Sequence, residues 1–329
     1  MEFSKKIMAA AGGLLVLVLF LFSGCGVPKG NGASGEAYRV TDDFGTVVSF
    51  AKKPKRIYAT TLGLNEILAA LVPPERIVAV PESALNEKDS LIYEEARKVE
   101  KAVPDHLSTE QIIALKPDLV LLQSNGDRSE AKTLRDMGIP VCEMKVAVTY
   151  DLVVHHIQTA ADATGEPEKG KEVIAAMENK LEKVNSVISE IPEEKRKILM
   201  AYSMNGVFGS KDGLFHQICT MAGVKNGAAV AGLERGEHLS KEAILAVNPD
   251  YFLFPERAFV SNPGGDIDRY VEEVVTDPAL QGVKAVQKKQ IIKIKDRYRY
   301  ATSQFLADAV YEIASKVYSE EFKKASEKF

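Results

Sequence analysis

Five consecutive residues, Asp296, Arg297, Tyr298, Arg299 and Tyr300, set two guanidinium groups and two phenol rings side by side, and Arg257 follows another apolar run. Arginine presents planar, permanently charged donors that hold carboxylates or catecholate oxygens, and tyrosine adds a flat apolar face with a polar tip. Such a mixture suits an anionic chelate. The competing reading of the run is an alternating strand edge with one face in water. Covalent chemistry has no comparable constellation. The sequence holds no Gly-x-Ser-x-Gly elbow, no Gly-x-x-x-x-Gly-Lys-Ser/Thr loop and no His-Glu-x-x-His pair, so no catalytic residue is nominated.

Metal-ligating types are scattered. His155 and His156 fall where a helix is expected, and adjacent helical residues point to different faces. His106 stands alone in a loop, where a solvated or hydrogen-bonded imidazole is the commoner state. Cys142 and Cys219 leave a bridge open, with two buried thiols the preferred reading. No metal site or resident cofactor is expected. The 42 basic and 46 acidic residues are interspersed and leave a formal charge of −4, which gives no field to attract nucleic acid. With 329 residues, 46% of them hydrophobic, the chain can build one large or two medium cores.

The N-terminus carries Lys5 and Lys6 and then runs apolar from Ile7 to Phe22, short for a span of about 20 residues and typical of a signal peptide over residues 1–24. Its end, Leu21-Phe22-Ser23-Gly24-Cys25, resembles a bacterial lipobox, which implies cleavage before Cys25 and lipidation of it. Residues 25–37 are rich in glycine and small side chains and read as a flexible tether. An exported domain held by a lipid at the outer face of the cytoplasmic membrane, or in the periplasm, is positioned to hand cargo to an integral partner.

The elements that must position the site follow from a repeated pattern. Ser108-Thr109-Glu110-Gln111 is a capping box; Ile112 to Leu115, the Lys116-Pro117-Asp118 turn and the run Leu119 to Leu122 then read as helix, turn and buried strand. The pattern returns 132 positions later, from Ser240 through Pro249-Asp250 to Phe254. This predicts two similar α/β lobes, each with a central, mostly parallel sheet flanked by helices, over 38–166 and 193–329. Strands are expected at Arg56–Thr60, Ile77–Val80, Val141–Met144, Ile198–Tyr202, Tyr251–Phe254 and Ile291–Ile294, and helices at Leu64–Leu71, Leu214–Ala222 and Gln304–Val317. Between the lobes, Glu168 to Ile191 places Val173, Ile174, Met177, Leu181, Val184, Val187 and Ile188 on a helical period, with Pro167 and Pro192 at its limits. One long helix over 167–192 should join the lobes.

Arg39-Val40-Thr41-Asp42-Asp43-Phe44-Gly45, Pro54-Lys55-Arg56-Ile57, Asn65-Glu66-Ile67-Leu68 and Ile113 to Val120 occur in that order. In this order, with the lipobox and the duplicated lobe, they resemble the solute-binding lipoproteins of ABC importers that take up ferric siderophores, cobalamin and heme, with two lobes joined by one helix. The resemblance covers nearly all of the mature chain. It implies a monomer that captures a small-molecule metal chelate carrying its own metal, and passes it to an ABC permease and its ATPase with little hinge motion. A ferric siderophore is the preferred cargo, a corrinoid the next and heme the third, because Val103-Pro104-Asp105-His106-Leu107 lacks the tyrosine that heme binding in this group commonly uses. A structural or adhesive surface lipoprotein is the alternative from another class.

Ligands of α/β sheets bind beyond the carboxyl ends of strands. The loops there nominate Thr60, Thr61, Asn65, Ser124, Asn125 and Arg128 in the first lobe, and Met204, Asn205, Phe208, Arg257, Arg297, Tyr298, Arg299 and Tyr300 in the second. Relatives dock onto the permease through one acid on each lobe. Glu100 matches the first; the second position falls near Gly223 to Asn226, where the acid is missing, so that either docking is asymmetric, or a nearby acid such as Glu234 or Glu237 substitutes, or the correspondence slips there.

Overall fold

The apolar runs that follow the Pro-Asp turns become parallel strands, as their burial on both faces requires. The computed structural model describes residues 37–262 and 264–326; the expected signal peptide, Cys25 and nearly all of the tether lie outside them. From β1 (Tyr38–Thr41) and β2 (Val47–Phe50) the first lobe runs through β3 (Ile57–Ala59), α1 (Leu62–Leu71), β4 (Val80–Pro81), α2 (Tyr93–Ala96) and β5 (Ala102–Val103). It continues with α3 (Thr109–Ala114), β6 (Leu119–Ser124), α4 (Ser129–Asp136), β7 (Val141–Lys145) and α5 (Tyr150–Thr164). Helix α6 (Pro167–Ile188) leads into the second lobe: β8 (Ile198–Ser203), β9 (Gly206–Phe208), α7 (Leu214–Met221), β10 (Lys225–Asn226), α8 (Gly227–Val230) and α9 (Lys241–Val247). Then come β11 (Tyr251–Pro255), α10 (Ile267–Val275), α11 (Lys284–Gln287), β12 (Ile291–Ile294), a 3-10 turn at Asp296–Tyr300, α12 (Leu306–Val317) and α13 (Ser319–Ser326).

In the first lobe β3, β6 and β7 pair in parallel, and Val78 N–H donates to Ile57 O to extend the sheet toward the parallel pair β4 and β5. In the second, β10, β8, β11 and β12 pair in parallel, with β9 folded back antiparallel on β8. Alternation decides the layers. Leu119 and Leu121 join the main core, while Val120 and Leu122 join a second cluster under α3 and α4.

The duplicated Pro-Asp turn has one physical job in both lobes. Asp118 accepts from the backbone N–H groups of Lys55 and Arg56, and Asp118 N–H donates to Arg56 O. Asp250 repeats this, accepting from Ile198 N–H and donating its own N–H to Ile198 O. Each aspartate thereby sets the register of the strand beside its own. Each preceding helix is capped by serine: Ser108 and Gln111 form the capping box, and Ser240 Oγ accepts from Ala243 N–H.

The connecting helix is present but ends at Ile188, three residues short of Ile191, because Ser189 already caps it. Met177, Val184 and Ile188 are buried, and α6 packs against α5 of the first lobe and α12 of the second. The main apolar core therefore runs unbroken from Ile67 through Val184 to Leu199 and Val310. The β1–β2 hairpin, β9 and the Asp296–Tyr300 turn carry no strong periodicity and were not anticipated as such. Cys142 and Cys219 are separate buried thiols, and burial pushes Cys142 up to about 12.

Candidate functional site

The carboxyl ends of the strands in each lobe carry a pocket. In the first lobe a pocket of about 490 Å³ is lined by Thr60, Thr61, Gln123, Ser124, Asn125, His106 and Val146, among others. Thr60 is fixed by Gln123 N–H, which donates to its hydroxyl at 3.0 Å; Thr61 caps α1 through Leu64 N–H. Ser124 is buried and shapes its own loop, donating to Asp127 O and accepting from Gly126 N–H, which leaves Asn125 exposed at the tip. In the second lobe a pocket of about 290 Å³ is lined by Met204, Phe259, Asn262, Ile267, Arg269 and Tyr270.

Four large apolar side chains stand exposed just past strand ends: Val146 after β7, Met204 after β8, Val260 after β11 and Tyr300 after β12. Contiguous exposed apolar groups mark binding surfaces, which makes these strand-end side chains candidates for one. Tyr300 packs edge-on against Phe208 at 5.0 Å, and Phe208 against Phe215 at 5.2 Å. Asn205 is exposed in the β8–β9 turn.

Several nominated residues do something other than face a ligand. Asn65 is buried, donating to Ala59 O and Thr61 O, and lines a small separate cavity of about 50 Å³ among Val72, Ile77 and Val99. Arg128 turns toward the β1–β2 hairpin, where it pairs with Glu143, donates to Thr46 Oγ1 and lies 5.0 Å over Phe44. Arg297 and Arg299 are the main correction. Both are buried: Arg297 grips Glu66 of α1, and Arg299 pairs with Asp296 and donates to Tyr202 O at 2.7 Å. Their donors are spent inside the protein, because a 3-10 turn directs residues 297 and 299 inward where a cleft-facing loop was expected. Tyr298 packs against the main core, and burial pushes its hydroxyl up to about 12. Arg257 is exposed and forms no ion pair among the described residues. It lies close enough to Asp89 of the first lobe to favour the ionised carboxylate, although burial and Asp296 together raise that group.

His106 enters the first-lobe pocket, whereas His155 and His156 are both engaged by Asp43, at 2.9 and 2.8 Å. Among the described residues no group of three or more His, Cys, Asp or Glu side chains is placed to hold a metal ion. Sequence reasoning did not single out Val146, Phe259, Val260 or Tyr270. Their position just past strand ends was the available signal for the first three.

A family model described as periplasmic binding protein matches residues 57–298. The chain belongs to the periplasmic binding protein family. It is 25% identical over 322 residues to the uncharacterized ABC transporter substrate-binding lipoprotein YvrC of Bacillus subtilis (strain 168), covering 94% of this chain and 96% of that one. It is 27% identical over 309 residues to the Fe(3+)-citrate-binding protein YfmC of the same organism, covering 88% and 89%. A vitamin B12-binding protein of Salmonella typhimurium is 27% identical over 167 residues, half of this chain and 61% of that one. Among solved structures, the periplasmic heme-binding protein RhuT of Roseiflexus sp. RS-1 superposes with a TM-score of 0.67 at 23% identity, over 81% of this chain and 99% of that one. That likeness shows the fold: two α/β lobes of a periplasmic binding protein, as the sequence pattern predicts.

Proposed function

We propose that this member of the family is an exported, lipid-anchored capture protein of an ABC importer, which holds a bulky metal chelate of low net charge between its lobes and delivers it to the permease and ATPase. The observation that carries this reading is the commitment of Arg297 and Arg299 to buried carboxylates. The strand ends keep an apolar rim of Val146, Met204, Val260 and Tyr300 and the neutral hydrogen-bonding groups of Thr60, Gln123, Asn125 and Asn205, while the charged side chains that line the two pockets are of mixed sign: Asp127 and Glu130 in the first, Asp266, Arg269 and Glu273 in the second. Such a lining fits a corrinoid, whose ring is apolar and whose edge carries amides, better than the anionic ferric siderophore that three free arginines would have favoured. The metal arrives with the cargo and no resident cofactor takes part. His106 is the one imidazole among the residues that line the first-lobe pocket and is the candidate to meet such a metal.

A second reading, a ferric carboxylate chelate, is favoured by exposed Arg257 and by the Fe(3+)-citrate-binding relative that spans 88% of this chain. Thermal unfolding of the full-length chain with cyanocobalamin, ferric citrate, a ferric catecholate and hemin separates the two. A ligand that binds only the native state at a hundred times its Kd adds about 2.7 kcal/mol. Stabilisation by cyanocobalamin alone supports the corrinoid reading. Stabilisation by ferric citrate, lost in Arg257→Ala, replaces it with the second, and no response to any of the four returns a structural or adhesive role to first place.

A further inference from the structure

Glu66 and Arg297 are 231 residues apart in sequence and belong to different lobes, yet they form a buried, two-pronged ion pair. Arg297 Nε donates to Glu66 Oε1 at 2.8 Å and Nη2 to Oε2 at 3.2 Å, with the carboxylate fully buried and the guanidinium 10% exposed. Two second-lobe side chains reinforce the contact. Ser303 Oγ donates to Glu66 Oε2 at 2.6 Å, and Gln304 Nε2 to the Glu66 carbonyl at 2.8 Å. One turn back on α1, Gly63 lies so close to the second lobe that an added Cβ would fall 2.2 Å from Thr302 Oγ1. The first lobe thus meets the second through charge, hydroxyl, amide and bare backbone in one patch.

The same turn is anchored to its own lobe two residues later. Arg299 is bound to Asp296 and to Tyr202 O, and its guanidinium lies 4.3 Å over Phe208. Arg297 Nη1 also donates to Tyr300 O at 3.1 Å, so the backbone that carries the exposed Tyr300 ring is held from the first lobe. A buried pair adds little net stability compared with an apolar pair, but separating it leaves two unpaired charges in a poor solvent. Its effect is therefore on geometry.

We propose that Glu66 and Arg297, closed by Ser303 and seated on the Gly63–Thr302 contact, form an interlobe latch that fixes the spacing of the cleft and positions the Phe208–Tyr300 aromatic wall. They are positioning residues, acting through the lobes and through Tyr300 and not by touching cargo. The latch explains in this chain how a clamp can be preformed before any ligand arrives. It rests on the two-lobe cleft as the capture site, but its test needs no ligand.

The test measures the distance between lobes in the full-length chain carrying Cys25→Ser. Spin labels are placed at Lys132→Cys on α4 and Leu245→Cys on α9, both exposed, while Cys142 and Cys219 are buried and escape labelling. The unaltered latch should give one narrow distance distribution. Glu66→Gln, which keeps the shape and removes the charge, should at least double its width. Gly63→Ala leaves every charge in place and is ordinarily favourable in a helix; here it should widen or shift the distribution through the clash with Thr302. Adding Thr302→Ala should restore it. A folded Glu66→Gln protein with the original narrow distribution overturns the latch. Should Glu66→Gln fail to fold, the Gly63→Ala pair decides: no change in Gly63→Ala, or no rescue by Thr302→Ala, overturns it equally. Failure of every ligand in the thermal screen with these distance results intact would remove the proposed cargo and leave the latch standing.

Discussion

At the residue scale, charge is used mainly to hold the protein together. Asp43, in the turn between β1 and β2, accepts from Lys145 N–H and bonds both His155 and His156, and its carboxylate is 3% exposed. Burial alone would raise it; the hydrogen bond from His156, the Lys145 N–H and the two imidazole charges outweigh that and hold it at about 2, below its usual value near 3.8. A depressed carboxylate contributes stability that is present above its unfolded pKa and is lost as pH falls through the folded one. Asp43→Asn is therefore expected to cost about 2 kcal/mol at neutral pH, with the gap to the parent closing between about pH 4 and pH 2. Urea unfolding at pH 7, 5 and 3 reads this; a gap that stays constant across the three would show that Asp43 is not held low. Arg297 and Arg299 illustrate the same economy and show why site reading from sequence went astray. Their types were informative, but the partner of Arg297, Glu66, lies in another lobe, and the inward turn that joins Arg299 to nearby Asp296 is itself set by those distant contacts.

At the element scale, the sequence was most legible where a side chain acts on its own neighbourhood. The capping box at Ser108, the Pro-Asp turns and the apolar period of α6 identify both lobes and their link because each is a local rule. Elements fixed by distant contacts were not legible: the β1–β2 hairpin is pinned by Asp42 to Arg135, and the Asp296–Tyr300 turn by Glu66 and Tyr202. The repeated aspartates give a direct check of the duplication. Asp118→Ala strips acceptors from two exposed backbone N–H groups and Asp250→Ala from one half-buried group, at a cost of about 0.5–1.5 kcal/mol for each hydrogen bond lost. Chemical denaturation should show both variants destabilised, Asp118→Ala the more because it loses two. A neutral result for either would mean that strand register is set by packing alone.

At the scale of the whole molecule, the proposed capture and delivery call for different surfaces. The proposed capture site is at the strand ends. Delivery needs charges that reach a partner, and Glu100 is the candidate in the first lobe: it is exposed in the segment just before β5. The second lobe offers a less simple candidate. The matching stretch, Gly223 to Asn226, holds no acid, Glu234 is already paired with Lys211 at 2.7 Å, and the Glu237 carboxylate accepts from Glu234 N–H. An exposed pair of this kind is worth little and is readily exchanged for a better partner, so Glu234 stays available to an arginine on a permease. Glu100→Lys should leave cargo affinity unchanged, since Glu100 lines neither strand-end pocket, while lowering importer-dependent uptake at least tenfold, because a like charge now faces the transporter. Glu234→Lys should do the same to a smaller extent. Raising the salt concentration should weaken the parent's uptake toward that of Glu100→Lys, as screening acts on exposed charges first. Measured together, uptake in cells and cargo binding to the purified chain assign the residue: a loss of both places Glu100 in the capture site, and a loss of neither removes it from the docking face.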